Sequence, residues 1–189
     1  MIAIRNLSMR LVSGGRDVSI LDDISLDVPA KQFLAIIGPS GSGKSTLLGL
    51  IGGMDTPTSG TISIDGRDIT KLSDDELSRL RLQRIGFVFQ SFHLIPTLTA
   101  RENIAVPIEL AGDPEADAKA GELLRAIGLE SRGHHYPVQL SGGEQQRVAV
   151  ARAFTHDPAL AAHADRIVRL RDGRIASDDL QHRASGARP

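Results

Sequence analysis

Apolar and polar residues alternate along much of the first third of the chain. The stretches MIAIRNL, SILDDISLDVP and GTISIDG show this period-two pattern, which predicts half-buried antiparallel strands. Between them, KQFLAIIG is apolar almost without interruption and predicts a strand covered on both faces, the usual state of a parallel strand in an α/β core. KSTLLGLIGGM then switches to helical spacing. KLSDDELSRLRLQR opens with Ser73 and Glu76 at the interval of a capping box, so its acidic cluster reads as a helix start rather than a catalytic carboxylate pair. RIGFVFQ predicts a second buried strand. TLTARENIAVPIELAG, PEADAKAGELLRAIGLE and SGGEQQRVAVARAF are helical in pattern, the last with Ser141 and Glu144 again at capping-box spacing. RIVRLRDGRIAS predicts a hairpin turning at Asp172-Gly173, and DLQHRASGARP a frayed tail.

Composition narrows the picture by exclusion. A chain of 189 residues holds one domain with a sizeable core, with room for subdomains. Its formal charge of −1 comes from 22 basic and 23 acidic residues, so nothing in the whole-chain balance favours nucleic acid or an anionic membrane, and any anion site must be local. With no cysteine there are no disulfides, no thiol catalysis and no cysteine-ligated metal. No stretch reaches the roughly 18 apolar residues of a spanning helix, because Gly, Ser and Lys break the run from Phe33 to Met54. MIAIRNLSMR lacks the layout of a secretory signal, and the expected compartment is the cytoplasm.

The clearest chemistry lies in GPSGSGKST, residues 38 to 46, which fits G-x-x-x-x-G-K-[ST] after a predicted buried strand and at the head of a predicted helix. Gly38, Gly41 and Gly43 permit backbone conformations that a Cβ would block, so successive N–H groups can converge on phosphate oxygens. The helix N-terminus adds partial positive charge. Gly38, Pro39, Ser40, Gly41, Ser42, Gly43, Lys44, Ser45 and Thr46 thus form a candidate ATP site. Lys44 reaches the β- and γ-phosphates, Ser45 ligates Mg²⁺ and Thr46 lies near the α-phosphate. The competing reading is a Gly-rich turn that binds nothing.

A second anion cradle is legible at SGG, residues 141 to 143, where a hydroxyl and unhindered N–H groups open a predicted helix. It cannot easily serve phosphates already held by Lys44. Two cradles per chain suggest a nucleotide sandwiched between two chains head to tail, with binding and dimerisation linked. Ser141 can also simply cap its helix, and both roles are compatible.

LSGGEQQRVAVARA, the P-loop and the glutamine closing GFVFQ together resemble the ATP-binding subunit of ABC transporters. The resemblance runs from about Ile2 to the hairpin near Ile175. GPSGSGKSTLLGLIGGMDTPTSG, IGFVFQSFHLIPTLTARENIAVPIELAG and HYPVQLSGGEQQRVAVARAF look most like its lipoprotein-releasing and macrolide-export branch. It implies an α/β P-loop NTPase of ABC ATPase type with an antiparallel β subdomain and a helical subdomain. Residues 1–189 then form a single nucleotide-binding domain: about 1–90 the P-loop core and β subdomain, 91–140 the helical subdomain, 141–189 the LSGG helix, a switch-histidine-like segment, the hairpin and the tail. It further implies ATP and Mg²⁺ as cofactors, with Ser45 and Gln90 at the metal. Gln90 also touches the attacking water and couples to a membrane permease. Ser141, Gly142, Gly143 and Gln145 face ATP on the opposite protomer of a homodimer or paired ATPase subunit. It places the protein on the inner face of the cell membrane, with no nucleic acid partner. Members usually stack the adenine on an aromatic residue near Leu11, and RNLSMRLVSGG supplies none.

The family's hydrolysis also needs a buried strand ending in Asp-Glu, and this chain lacks one. Its single Asp-Glu, Asp75-Glu76, follows KLSD; Asp65 ends TISID but precedes Gly66; Asp165 ends ALAAHAD but precedes Arg166. THDPALAAHADRIVRLRDGRI resembles instead the switch-histidine segment, with His156 as the histidine, though the preceding RVAVARAF belongs to a helix. The resemblance thus implies that two look-alike stretches are fused between 151 and 170, removing about one βαβ unit, on the order of 30 residues or more, and leaving the core sheet incomplete. The expected outcome is weak or no ATP hydrolysis, residual phosphate binding, and marginal stability. Three rivals follow: a non-hydrolysing regulatory subunit, a non-functional truncated product, and another P-loop enzyme such as a small-molecule kinase. His134 and His135 read as packing or surface residues, and RLRLQR as a solvated helix face.

Overall fold

A computed structural model describes residues 1–153 and 166–180. They fall into two units, one within Met1–Leu77 and Ala162–Pro189, the other within Ser78–Ala161.

The first unit contains two sheets. In the larger, β1 (Ile2–Ser13) and β2 (Arg16–Val28) form a hairpin closed at Gly14 and Gly15, whose φ angles of 58° and 75° are those of a two-residue turn matched to strand twist. β4 (Ser59–Ile64) pairs with the other edge of β1, and β5 (Arg67–Asp68) with β4, in the antiparallel order β2-β1-β4-β5. Strict alternation would send Ile4 and Leu7 to opposite faces, yet both are wholly buried. A shift in register between them, with Asn6 at φ 46°, resets the parity, and Gly60 lies where a Cβ would come within 2.6 Å of the Arg5 carbonyl. Ile4, Leu7, Leu21, Ile24 and Ile62 form the apolar face of this sheet.

The second sheet has the order β3-β6-β7. β3 (Leu34–Ile37) runs parallel to β6 (Arg166–Arg171), Leu34 opposite Arg166 and Ile37 opposite Arg169. β6 turns at Asp172 and Gly173, φ 50° and 75°, into antiparallel β7 (Arg174–Leu180), where the sequence places the hairpin. That turn abuts β2: the Asp22 N–H donates to the Gly173 carbonyl at 3.0 Å, and Arg174 pairs with the Asp22 carboxylate. Helices α1 (Lys44–Ile51) and α2 (Asp74–Arg84) follow their predicted spacing. At the start of α2 the Ser73 hydroxyl donates to Glu76 at 3.0 Å and accepts the Glu76 N–H at 3.4 Å, the capping box read from sequence.

Two expectations are corrected. KQFLAIIG does not become a strand covered on both faces: Leu34, Ala35 and Ile36 are half-buried, Ile37 is 39% exposed and Phe33 50%. Among the described residues β3 has one neighbour, β6, and its other edge has none. RIGFVFQ forms no strand at all, and Val88 and Phe89 are exposed. A strand needs ladder partners for its N–H and C=O groups, and no described segment supplies them to residues 85–89. Phe87, Phe89 and His93 stack on one another instead, with centroids 5.8 Å and 4.7 Å apart.

The second unit is helical. α3 (Ala100–Leu110), α4 (Ala116–Ala126) and α5 (Gly142–Ala153) pack around Ile104, Ala120, Leu124, Leu140 and Val148. Thr99 caps α3 in a box with Glu102. Wholly buried Asn103 ties the preceding loop to α3: its carbonyl accepts the Ile95 N–H at 2.7 Å, and its amide nitrogen donates to the carbonyls of Ile95, Leu98 and Thr99 at 2.9 to 3.1 Å.

Candidate functional site

The loop from Gly38 to Gly43 joins β3 to α1, and its glycines are fixed by their neighbours. Gly38, Gly41 and Gly43 all have positive φ (155°, 80° and 93°). A Cβ on Gly38 would overlap the Leu170 carbonyl oxygen of β6 and lie 2.7 Å from Ser42 Oγ. One on Gly43 would lie 2.9 Å from the Ile20 carbonyl and 2.6 Å from Leu21 Cδ2 on β2. The loop is thus held between β2 and β6, while the face around Gly41 stays open, with nothing within 4 Å of its Cβ position. Ser42 is buried; Pro39, Ser40, Gly41 and Ser45 are exposed.

The Lys44 ammonium folds back over this loop and donates to the carbonyls of Gly38 at 2.9 Å and Pro39 at 2.7 Å, with Ser42 Oγ at 3.5 Å. Gly43 caps α1 with no side chain, and the first turn of α1 carries no acidic residue. A cation, a helix start without an acidic residue in its first turn and a glycine cradle therefore converge, an arrangement suited to a polyphosphate. Ser45 and Thr46 lie on the first turn of α1, as the sequence predicts. The bracing by β6 was not legible, because Leu170 is remote in sequence.

The second cradle lies at the start of α5. The Ser141 hydroxyl donates to Glu144 Oε2 at 2.7 Å, the Ser141 N–H donates to the same oxygen at 2.8 Å, and the Glu144 N–H donates to Ser141 Oγ at 3.3 Å. The hydrogen bonds from Ser141, helped by Arg132 and Arg147, hold the Glu144 carboxyl below its usual pKa. Arg132 Nε stands 3.8 Å from Glu144 Oε1, and Arg147 Nη1 3.9 Å from the Cβ position of Gly143. Sequence reading missed both arginines; Arg147 is visible as an i+3 neighbour of Glu144, whereas Arg132 reaches it only through the chain's return. Gln145 Nε2 donates to the carbonyls of Pro137 and Leu140 at 2.9 and 3.1 Å, so its amide nitrogen braces the approach to the helix.

Gln90 is exposed at the end of the unpaired 85–89 stretch. It and the second cradle lie in the helical unit, the P-loop in the other. His156 lies outside the described residues, as do Asp165 and most of the fused stretch. Leu11, which stands opposite Val18 in the β1–β2 ladder, is 47% exposed. His134 is exposed, and His135 Nε2 contacts Arg132 at 3.1 Å. No helix among the described residues is long and apolar enough to cross a membrane.

Comparison with known proteins bears on the same features. The profile of the family described as ABC transporter matches residues 21–162. The lipoprotein-releasing system ATP-binding protein LolD of Chromohalobacter salexigens is 39% identical over 209 residues, covering 87% of this chain and 88% of that protein. The macrolide export ATP-binding/permease protein MacB of Burkholderia pseudomallei is 38% identical over 230 residues, covering 99% of this chain and 35% of that protein. The chain thus spans about a third of the length of its MacB relatives. In that alignment it can supply at most 189 of 230 positions, so at least about 40 positions of the relative have no counterpart here. A solved dimeric ATP-binding cassette in a post-hydrolysis state, bound to ADP and Pi, superposes with a TM-score of 0.85 at 33% identity, covering 95% of this chain and 98% of that one. A glycine cradle under an invading lysine, an SGG helix start and this breadth of likeness agree: the chain belongs to the ABC transporter family, as one of its ATP-binding domains.

Proposed function

We propose that this chain is the ATP-binding subunit of an ABC exporter that holds MgATP on its P-loop but turns it over weakly or not at all. The observation that carries this reading is the contrast between the two halves of the chemistry. The glycine loop that would cradle phosphate has Lys44 folded over it and no acid in the first turn of α1. The Asp-Glu pair that a hydrolytic cassette needs at the end of a buried strand is missing from the sequence.

In this reading the N–H groups of residues 40 to 46 cradle the phosphates and Lys44 exchanges its carbonyl partners for β- and γ-phosphate oxygens. The Ser45 hydroxyl would hold Mg²⁺, with Gln90 the further ligand that the family resemblance implies, and the ion would supply charge neutralisation on the phosphates. Ser141, Gly142, Gly143 and Gln145 face the nucleotide of a second copy or a paired ATPase subunit. The Gln90 region addresses a membrane permease, which keeps the subunit at the inner face of the cell membrane. The relatives named for lipoprotein release and macrolide export set the expected class of partner and cargo. By sequence, His156 matches the family's switch histidine.

The missing acids favour the non-hydrolysing form, in which nucleotide binding alone regulates docking. The test is paired. A fluorescent ATP analogue should bind, and Lys44→Ala should weaken it at least about tenfold, the loss of a charge-assisted contact. Phosphate release should stay near background. Steady-state turnover at the rate of an intact cassette, abolished by Lys44→Ala, would refute the non-hydrolysing form; absence of analogue binding would refute the ATP site.

A further inference from the structure

We infer that Glu144 is an internal lock on the second cradle, and that an incoming phosphate reaches Ser141 only when the Glu144 carboxylate transfers to Arg132. The inference rests on the reading of residues 141 to 143 as a phosphate cradle, and it concerns the control of that site.

Ser141 has too few protons to serve both Glu144 and a phosphate. Ser141 offers one hydroxyl proton and one backbone N–H. Both are already donated to Glu144 Oε2, at 2.7 and 2.8 Å. A phosphoryl oxygen at neutral pH is an acceptor, so it can take neither proton while Glu144 stays in place. Nor can it settle alongside: a carboxylate oxygen within hydrogen-bond distance of Ser141 would face the phosphate as a like charge. Glu144 is ionised in this position, because the Ser141 hydrogen bonds hold its pKa down.

A path for its release is built beside it. The other oxygen, Oε1, is 3.8 Å from Arg132 Nε, a distance that a rotation of the Glu144 side chain can close. Arg132 is half exposed, and Glu144 keeps 21% side-chain exposure, so the exchange needs no opening of the core. Ser141 and the N–H groups of Gly142 and Gly143, which as the first of α5 have no intrahelical partner, are then available together. Arg147, close to Gly143, supplies positive charge at the vacated place. Glu144 and Arg132 act as positioning residues, since neither touches the phosphate in this scheme.

The full chain is titrated with inorganic phosphate while the amide NMR signals of Ser141, Gly142 and Gly143 are followed, in wild type, Glu144→Gln, Arg132→Ala and the double variant. Gln still caps α5 through its amide oxygen, but a neutral acceptor holds the Ser141 protons more weakly than a carboxylate and presents no like charge, so phosphate can displace it. The lock predicts about tenfold tighter phosphate binding for Glu144→Gln, the worth of one charge-assisted hydrogen bond. It also predicts weaker binding for Arg132→Ala in the wild-type background and no effect of that change once Glu144 is Gln, which separates transfer through Glu144 from a general loss of positive charge. A Glu144→Gln response equal to or weaker than wild type overturns the lock. So does an Arg132→Ala effect of equal size in both backgrounds, or the absence of any phosphate response at these amides. ATP replaces phosphate in a second arm read by sedimentation. If the amides respond to phosphate as predicted but ATP drives no dimer, the lock stands and the sandwich reading fails.

Discussion

Gly43→Ala is the sharpest probe of how the phosphate cradle is held. Gly43 has φ 93°, a region that costs an L-residue about 1–2 kcal/mol. Its new Cβ would stand 2.9 Å from the Ile20 carbonyl and 2.6 Å from Leu21 Cδ2, against 3.4–4 Å for ordinary contact. The carbonyl belongs to β2, and the Leu21 side chain is wholly buried, so neither yields freely. Overpacking of this kind costs about 1–3 kcal/mol. The expected total is about 2–5 kcal/mol, a large share of a typical domain's stability. Gly41→Ala is the internal control: it shares the positive φ, 80°, but meets nothing within 4 Å, so it should cost only about 1–2 kcal/mol. Urea unfolding of both variants, compared at constant m-value, gives the difference directly. Equal destabilisation by the two substitutions would refute the claim that β2 braces the loop, and would reduce Gly43 to a conformational requirement alone.

Two further outcomes are expected. Asp178 is held below its usual pKa chiefly by the hydrogen bond from Arg166, so its contribution is present above the unfolded value of about 3.9 and is lost as pH falls through the lower folded value. The urea midpoint should therefore be insensitive to this pair from pH 7 to about 5 and decline below about 4, and Asp178→Asn should remove its part of that decline; a loss centred near neutral pH would contradict the assignment. Inserting at the junction between residues 153 and 166 the roughly 40 residues of the MacB relative that have no counterpart here should cover Phe33, Ile37, Val88 and Phe89, which are 50%, 39%, 47% and 37% exposed. That amounts to about 3–5 kcal/mol as an upper bound; calorimetry should show the gain together with the appearance of phosphate release, and a chimera no more stable than the parent would rule out this origin of the exposed surface.

What could be read from the sequence divides along the range of the interactions involved. Capping boxes span three residues, and those at Ser73-Glu76 and Ser141-Glu144 form as spaced. The Asp172-Gly173 turn and the helical stretches are likewise local, and they appear where the pattern puts them. The glycines of the P-loop were legible as conformational requirements, but not the reasons those positions are tight, since Ile20, Leu21 and Leu170 reach them through the fold. The β1–β2 hairpin at Gly14-Gly15 escaped the reading of alternation, although a Gly-Gly pair between strands is a direct turn signal. For the second cradle, pattern alone gives Ser141 and Glu144 but is silent on Arg132, whose guanidinium arrives from the segment before α5.

FLAII and GFVF are comparable apolar runs, and they end differently for one physical reason. Leu34–Ile37 becomes a strand because β6 lies alongside it in register, giving its backbone a ladder on one edge. Residues 86–89 have no described strand beside them and remain outside any sheet, their aromatic rings stacked on each other. Hydrophobicity selects segments for burial, but a strand exists only when a partner completes its hydrogen bonds. The relative's roughly 40 unmatched positions are about the size of a βαβ unit, which would provide such partners. The P-loop needs no such unit, because its supports, Ile20 and Leu21 on β2 and Leu170 on β6, are all present. On the proposed reading, phosphate binding and phosphate hydrolysis depend on different parts of the fold, so a chain that keeps the first set of supports while lacking the second would hold nucleotide without consuming it.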